Sequence, residues 1–505
     1  MPLLSESVPE PASEAVPRGV DLRLGTLACG TWVGALLGVL EQSWVVIVVV
    51  VIGVLTALFS LRDIGLMLSI AVGLLGCLVA CFVGAHVRGD WEQVATALER
   101  SDSEVSVVAR VISDPTVASE NWGEPGWRFA VEAESRVRLY VSVASGDLGG
   151  ARLVRGTVLR LHGTLETEGS PGPPALGYLR ASGVQEIESA PRWQRFVANL
   201  KSTLFQISEA KAGSAGPLIG GMAIGDDRGL SKETKEAMLT TSLTHLTAVS
   251  GSHIAISLSV ISVLLPGRRR IKAVATWCFL ATMVVVVGPQ PAVLRAVGMG
   301  ALAAWGLILG RGGQPLGLLF TVTAGTLIID PWSAVSLGFA LSTLATAGIL
   351  TAGRGLTGWL KQTVDDWSGG IKPIAQAVGE AVVIAVVAQA VTLPILALVN
   401  PWLPTWGVVA NLLVAPIVTP LTLLGLTAAA TCLWWPAAAN VCAYLAAPLA
   451  RYMEATALRV AGWPLARLAW PSGIAGLLAA AAVIVAIVLV GWAGARTLGR
   501  ARGSG

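Results

Sequence analysis

The chain has 505 residues, of which 54% are hydrophobic and 13% are charged, with a mean hydropathy of +0.70. Soluble domains carry roughly 25% charged residues, so this composition excludes an ordinary soluble protein and indicates a polytopic membrane protein. The formal net charge of +4 is too small for this length to indicate a protein that coats nucleic acid. All six cysteines lie in apolar runs, so we interpret them as core residues and expect no disulfide framework.

Three apolar segments near the N-terminus approach the length needed to cross about 30 Å of hydrocarbon, at 24–40, 44–60 and 64–85. We expect residues 24–87 to form an N-terminal three-helix membrane block. Residues 1–23 are of mixed charge and contain proline, which predicts a disordered cytoplasmic tail and not a signal peptide.

From residue 88 the sequence becomes polar and alternates as β-strands do. Turn-forming residues separate five candidate strands, at 104–112, 127–134, 137–144, 156–165 and 183–188. Five short strands predict a small OB-like β-barrel over 88–190, on the extracytoplasmic side.

OB-folds often bind single strands by stacking bases on aromatic side chains. The candidates for that role are Trp122, Trp127, Phe129 and Tyr140. The alternative is a structural cap whose aromatic residues form its core. The surplus of eleven acids over eight arginines in 104–188 favours this alternative, because a polyanion is bound by basic groups.

Residues 191–240 connect the polar region to the next apolar block. Positions 191–211 predict an amphipathic helix that lies in the membrane interface. The glycine-rich stretch 215–230 is too short to span the membrane and predicts a re-entrant segment. It contains Asp226, which either closes a local loop or lines the mouth of a pore.

Residues 241–494 are expected to form the main membrane domain. Its predicted helices lie at roughly 241–265, 271–288, 292–310, 315–329, 333–352, 374–399, 405–433, 436–459 and 473–494. The chain is thus predicted to be a polytopic α-helical membrane protein with about twelve membrane helices, some broken or re-entrant, and an inserted OB-like β-barrel. The basic segments 268–272 and 495–505 place both termini in the cytoplasm.

The stretch 240–256, TTSLTHLTAVSGSHIAI, carries two of the four histidines of the chain inside an apolar run. Polar groups at membrane depth are costly and usually serve a function or are hidden against other helices. The alternative to a functional role is a polar patch whose imidazoles bond backbone carbonyls. The stretch resembles the H-L-x-A-x-S-G-x-H core of the ComEC-type competence family, and the matching positions include His245, Ser250, Gly251 and His253.

Further segments resemble the same family in the same order. GPQPAVLRAVGM resembles its G-x-x-P-x-x-x-R-A-x-x-M element through Arg295, a G-F-x-L-S element ends at Ser342, and an N-x-x-x-x-P element begins at Asn411. Arg295 suits a bidentate contact with phosphate, or it snorkels to the membrane surface. Asn411 lines a channel or makes an interhelical hydrogen bond.

The resemblance implies an inner-membrane channel through which bacteria take up single-stranded DNA in natural transformation, in contact with membrane lipid. It also implies an outer DNA-receptor protein, a separate cytoplasmic motor and a separate nuclease. We expect a short form without the C-terminal metallo-β-lactamase-like domain that many members carry. A transporter or exporter of another anionic or lipid-linked substrate is the alternative.

The residues themselves do not favour an enzyme. The motif G-x-x-x-x-G-K-[ST] of nucleotide-binding loops does not occur in the chain. Histidines eight positions apart on a continuous helix lie about 12 Å apart along its axis, so we expect no metal site and no cofactor. A serine hydrolase would need a nucleophile elbow and an acid, which the stretch around Ser250 lacks.

Overall fold

The computed structural model of the chain describes residues 22–41, 48–49, 51, 56, 64–100, 104–118, 126–148, 150, 153–169, 172–265, 267, 269–310, 314–365 and 372–502. The predicted tail 1–23, the predicted helix 44–60 and Trp122 lie mostly or wholly outside the described residues.

The first two helices pack backbone against backbone. They are α1 (Leu22–Val39) and α2 (Ile64–Glu99). A β-carbon on Gly30 would lie 1.9 Å from the carbonyl oxygen of Gly73, and one on Gly34 would lie 2.0 Å from that of Cys77. Small residues four positions apart allow this close approach between membrane helices, where packing is a main source of association energy.

Helix α2 continues well beyond its predicted end at residue 85. Its polar final turns carry Trp91 and Ala95, which pack into the core of the sheet described next. The Trp91 indole nitrogen donates to the carbonyl oxygen of Pro174, 3.1 Å away. The predicted end at residue 85 is where the apolar run ends. The helix continues to Glu99 because its last turns are buried against the sheet.

The polar region forms a six-stranded sheet with the spatial order β1-β5-β6-β4-β3-β2. Its strands are β1 (Val105–Val111), β2 (Thr116–Ala118), β3 (Gly126–Glu132), β4 (Arg138–Ala144), β5 (Val158–Glu166) and β6 (Ala175–Glu188). Strands β4 and β6 are parallel, and β1 pairs with β3 as well as with β5. Alternate residues of β1, β3, β4 and β5 and several residues of β6 fill one core, whereas Thr116 and Val117 of β2 are exposed. The sequence pattern missed β2 and the first half of β6.

Five helices follow the sheet domain, up to residue 287. They are α3 (Arg192–Ala212), α4 (Gly216–Ile224), α5 (Lys232–Thr240), α6 (Gly251–Leu264) and α7 (Arg269–Val287). Helix α3 buries one face through Val197, Lys201, Leu204 and Ser208, whereas Trp193 and Phe196 at its start are exposed. Helix α4 is buried at every position.

Most of the remaining helices follow the predicted bounds closely. The remaining helices are α8 (Pro291–Ile308), α9 (Pro315–Ile329), α10 (Leu337–Gly348), α11 (Arg354–Asp365), α12 (Lys372–Val399), α13 (Gly407–Thr431), α14 (Pro436–Ala461) and α15 (Gly473–Arg502), with a short pairing of β7 (Trp402–Pro404) and β8 (Arg467–Ala469). The exceptions are α11, which the sequence did not predict, and α10, which is shorter than the expected 333–352. Among the described residues, five helices are long and apolar enough to cross a membrane: α2, α7, α8, α12 and α13.

One predicted crossing is not a continuous helix. We expected a single span over 241–265, but α5 ends at Thr240 and α6 begins only at Gly251. Between them the chain forms an irregular segment with one turn of 3-10 helix at Thr244–Leu246. Ser242 adopts a positive φ of 57°, which ends the preceding helical path.

The sheet domain contacts the helical region through side chains of two of its loops. Arg136 forms an ion pair with Asp330 at 2.8 Å, just after α9. Arg155 packs on Gly288 in the turn between α7 and α8, where a β-carbon would lie 1.8 Å from its Nη1. These two turns lead directly into α8 and toward α10.

Candidate functional site

The irregular segment ends at the N-terminus of α6, where the side chains of Ser250 and His253 cap the helix. Ser250 is the N-cap of α6, and its backbone N–H donates to Nδ1 of His253 at 3.1 Å. The imidazole thus takes the place of the glutamate or glutamine of an ordinary capping box. The Ser250 and Ser252 hydroxyl oxygens lie 2.6 Å apart, and Ser252 is exposed.

The two histidines have different environments. His253 is 2% exposed, and since Nδ1 accepts a hydrogen bond, the neutral ring carries its proton on Nε2. Within the described part of the chain Nε2 has no hydrogen-bond partner. His245 is exposed and donates from Nδ1 to the carbonyl oxygen of Ser242 at 2.9 Å. His245 therefore adopts the arrangement that we considered as an alternative, an imidazole bonded to a backbone carbonyl, whereas Nδ1 of His253 accepts from a backbone N–H.

Arg295 lies one turn into α8, and its side chain is 5% exposed. Its Nε donates to Oγ of Ser342 at 3.1 Å, and Nη1 donates to Oγ1 of Thr346 at 2.7 Å. Nη2 also donates to Oγ of Ser342. The guanidinium is therefore held inside the protein by the hydroxyls of α10 and does not snorkel away from it.

The start of α6 lies against this guanidinium. A β-carbon on Gly251 would lie 3.4 Å from Nη2 of Arg295. Three segments that the sequence singled out separately thus meet at one place: the start of α6, the second turn of α8 and the middle of α10. No local pattern in the chain indicates which of these motifs would be neighbours.

The electrostatics of this meeting point favour an anion. The hydrogen-bond partners of Arg295 within the described residues are two neutral hydroxyls and the Met299 thioether. A helix N-terminus carries partial positive charge from its unpaired N–H groups. A negatively charged group at such a place would be stabilised both by the buried cation, whose present partners are neutral, and by the helix N-terminus.

Helix α4 packs against the backbone of the irregular segment near Thr247. A β-carbon on Gly221 would lie 2.6 Å from the carbonyl oxygen of Thr247. Gly225 in the left-handed region ends α4 beside Val249. The glycines of the predicted re-entrant stretch therefore let a short buried helix touch the backbone that leads to Ser250.

Asn411 lies apart from the Arg295 cluster. Its Nδ2 donates to the carbonyl oxygen of Gly407 within α13, at 2.8 Å. Gly407 in turn approaches Ser242, since a β-carbon there would lie 2.9 Å from the serine Oγ. Asn411 is thus associated with the His245 end of the irregular segment, and its amide bonds its own helix and not a neighbouring one.

Asp226 adopts the local arrangement that we considered as an alternative to a pore mouth. It is 5% exposed and binds Arg228 through two contacts, Nε to Oδ1 at 2.6 Å and Nη2 to Oδ2 at 2.7 Å. A bidentate pair over two residues closes the loop between α4 and α5.

The aromatic candidates of the sheet domain differ in accessibility. Phe129 is 4% exposed in the core, so its ring offers no face to a ligand, and Trp127 packs partly against the same core. Tyr140 is 42% exposed. Trp122 lies outside the described residues.

Sequence reasoning missed two residues that the structure adds. Thr346 holds Arg295 together with Ser342, and its signal was the four-residue spacing of two hydroxyls on one helix face. Tyr178 lies beside Tyr140 with ring centroids 5.7 Å apart, and its signal was obscured because the first half of β6 was not predicted.

Comparison with known proteins gives one family. Residues 222–495, more than half of the chain, match the family model described as Competence protein. A protein of Escherichia coli (strain K12), described as "Uncharacterized protein YcaI", is 27% identical over 215 residues. The aligned part covers 40% of this chain and 27% of that protein. No solved structure matches the chain.

Proposed function

This chain belongs to the ComEC-type competence protein family, and from that premise we propose that it is an inner-membrane channel for the uptake of single-stranded DNA in natural transformation. A DNA strand is a hydrated polyanion, so its path needs cationic and hydrogen-bonding groups at membrane depth. We propose that His245, Ser250, Gly251, His253, Arg295, Ser342 and Asn411 contribute to that path. Asp226 closes the adjoining loop.

The observation that supports this proposal most directly is the environment of Arg295. Its guanidinium is buried, is fixed by two hydroxyls of α10 and lies against the start of α6. Each phosphate that passes can be bound by a fixed cation and by helix N–H groups, and it can leave again because no covalent or metal bond forms. A structural role alone would more commonly place a carboxylate beside a buried arginine.

We also propose the domain arrangement that the sequence indicated. Twelve crossings remain an expectation, as do a cytoplasmic position for both termini and an OB-like barrel outside the membrane. The cyclic pairing of β1 with both β5 and β3, and the parallel pair β4 and β6, support the OB-like topology. The predicted partners, namely an outer DNA receptor, a cytoplasmic motor and a separate nuclease, belong to this proposal.

The test is DNA uptake by cells in which the gene is replaced by variants of Arg295. Fluorescently labelled DNA that becomes resistant to external nuclease is measured together with transformation frequency. We expect Arg295→Ala to lower both by about 10- to 100-fold, the range expected when a charge-assisted hydrogen bond is lost. Arg295→Lys is expected to be intermediate, because lysine keeps the charge but not the planar fork.

The control is a variant of an arginine outside the cluster, Arg459→Ala on α14, in cells with equal amounts of protein in the membrane. Normal uptake by Arg295→Ala would contradict the proposal. If labelled DNA does not enter even in wild-type vesicles, but small organic phosphates do and Arg295→Ala stops them, the alternative of another anionic substrate is correct.

A further inference from the structure

The turn between α9 and α10 is packed into the core of the sheet domain. It is a short stretch of 3-10 helix at Pro331–Val335, and its Trp332 is 3% exposed. The Trp332 ring meets the Trp91 ring edge to face, with centroids 6.0 Å apart, and both rings belong to the hydrophobic core that the strands form. A side chain of the helical region therefore completes the core of the sheet domain.

Polar contacts hold the same turn. One carboxylate oxygen of Asp330 contacts Arg136 of the sheet domain at 2.8 Å, and the other accepts from the Ser333 hydroxyl at 3.1 Å. The Trp32 indole nitrogen of α1 donates to the carbonyl oxygen of Ala334 at 3.3 Å. The sheet domain and α1 together hold the backbone from which α10 begins.

Helix α10 carries the hydroxyls that bind Arg295. Ser342 lies about 8 Å along the axis from the first residue of α10, and Thr346 lies about 14 Å from it. Arg295 lies about 6 Å from the first residue of α8, and the turn before α8 is the one on which Arg155 packs. Both partners of the hydrogen-bonded cluster are therefore within a few helical turns of a segment that the sheet domain contacts.

The hydrogen bonds of this cluster depend closely on distance. The bonds from Arg295 to Ser342 and Thr346 include lengths of 3.1 and 2.7 Å. Contacts of this type are lost beyond about 3.5 Å. A shift of α10 by about 1 Å relative to α8 would therefore release the guanidinium from its hydroxyls, and a misplacement of this size can lower the function of a site by about 100-fold.

We propose that Trp332 is a positioning residue for the membrane site. By filling the core of the sheet domain, it holds α10 where Ser342 and Thr346 keep the Arg295 guanidinium in one orientation. The sheet domain thus contributes to the membrane site through the turn before α10. The inference rests on the proposed function, because the orientation of Arg295 affects uptake only if the DNA strand passes this residue.

The experiment measures uptake of labelled DNA by cells, divided by the amount of folded protein in the membrane. Trp332→Ala should lower uptake per protein by about 10-fold or more. Trp332→Phe should retain most of it, because a ring remains and the lost indole N–H has no hydrogen-bond partner within the described residues. The matched control is Leu161→Ala on β5, which opens a cavity in the same core. Its Tm should fall, whereas its uptake per protein should stay near that of the wild type.

A surface variant tests the same turn without opening a cavity, should Trp332→Ala be too unstable. Arg136→Ala removes the contact with Asp330 and should lower uptake per protein by about 1.5- to 5-fold, the equivalent of an exposed ion pair. Arg180→Ala is its control, since it removes an exposed contact with Glu166 in the same domain and should leave uptake unchanged. Equal uptake by these two variants would contradict the inference.

A double variant separates positioning from general stability. If Trp332 acts through the hydroxyls of α10, Trp332→Ala should lower uptake much less in a Ser342→Ala background than in the wild type. Independent effects would multiply instead. Multiplied losses, or equal uptake per protein for Trp332→Ala and Leu161→Ala, would overturn the inference.

Failure of this inference can be told apart from failure of the channel proposal, because the Tm values of the same variants do not depend on DNA. If Arg295→Ala takes up DNA normally but the Tm losses of Trp332→Ala and Ser342→Ala are not additive, the positioning is correct and the proposed path is wrong. If Arg295→Ala stops uptake and the losses from Trp332→Ala and Ser342→Ala are additive in Tm and multiply in uptake, the channel proposal stands and the positioning role is wrong.

Discussion

Replacing Arg295 by methionine should separate the contribution of this residue to stability from its contribution to function. Methionine has a similar unbranched shape and fits apolar surroundings, and Met299 already lies one turn away. If Arg295 is kept for its ligand, the variant should remain folded and lose DNA uptake. If Arg295 is kept for the fold, the variant should unfold easily.

The expected change in stability follows from two opposing terms. Removing the charge relieves a desolvation cost of several kcal/mol. It also removes the three hydrogen bonds to Ser342 and Thr346, each worth about 1.5–3 kcal/mol because the donor is charged. The terms are similar in size, so the free energy of unfolding should change by less than about 2 kcal/mol, in either direction.

The assay pairs thermal unfolding of the purified protein in detergent with DNA uptake in cells. We expect an almost unchanged Tm and a loss of uptake of about 10-fold or more. Ser342→Ala serves as the comparison, since it leaves a buried guanidinium with fewer partners and should lower the Tm more than Arg295→Met does. A large fall in Tm for Arg295→Met, with uptake reduced only in proportion to the protein that remains, would refute the reasoning.

Three other changes test the packing of the fold. Gly34→Leu should lower the free energy of unfolding by about 3 kcal/mol or more, since its β-carbon would lie 2.0 Å from a carbonyl oxygen, whereas Gly89→Ala meets nothing within 4 Å; equal Tm values would contradict this. Gly288→Ala should lower the free energy of unfolding by about 1–2 kcal/mol for its φ of 98° alone, and by more because Arg155, which packs on it, must move. The Tm of the purified protein measures this change, and an unchanged Tm would contradict it. Asp114→Asn should cost about 3–5 kcal/mol, because the Lys201 ammonium is 2% exposed and loses its partner at 2.6 Å. Burial raises and the ion pair with Lys201 lowers the pKa of Asp114, with a net lowering, so the pair stabilises the fold at neutral pH and this contribution is lost as the pH falls through the lowered pKa. A Tm of the wild type that did not fall more than that of Asp114→Asn on acidification would contradict the assignment.

The distribution of charge in the sheet domain shows what a count of charged residues does not contain. A total of eight arginines and eleven acids favoured a cap that does not bind a polyanion. Strand pairing then placed Arg128, Arg138 and Arg180 around two tyrosines on one face. Alternation along a single strand is local and could be read, but which strands lie side by side depends on contacts between distant segments.

The break before α6 shows a second limit. The run 241–265 is apolar enough to predict one helix, and hydropathy alone contains no term for the hydrogen bonds between Ser250 and His253 that start a new helix there. The positive φ of Ser242 and the close approach of Gly221 to Thr247 are equally properties of the packed chain.

The sequence by itself determined the membrane class, the positions of most helices in the second half, four of the six strands closely, and the family. These features follow from composition, from the period of apolar residues and from motifs of a few neighbouring residues, all of which are local. The tertiary structure decided that Arg295, Ser342 and Gly251 meet, although 47 residues separate the first two. It also decided which arginines share a face with Tyr140 and Tyr178. Both are outcomes of packing between segments far apart in the chain, and no local pattern encodes the distance between them.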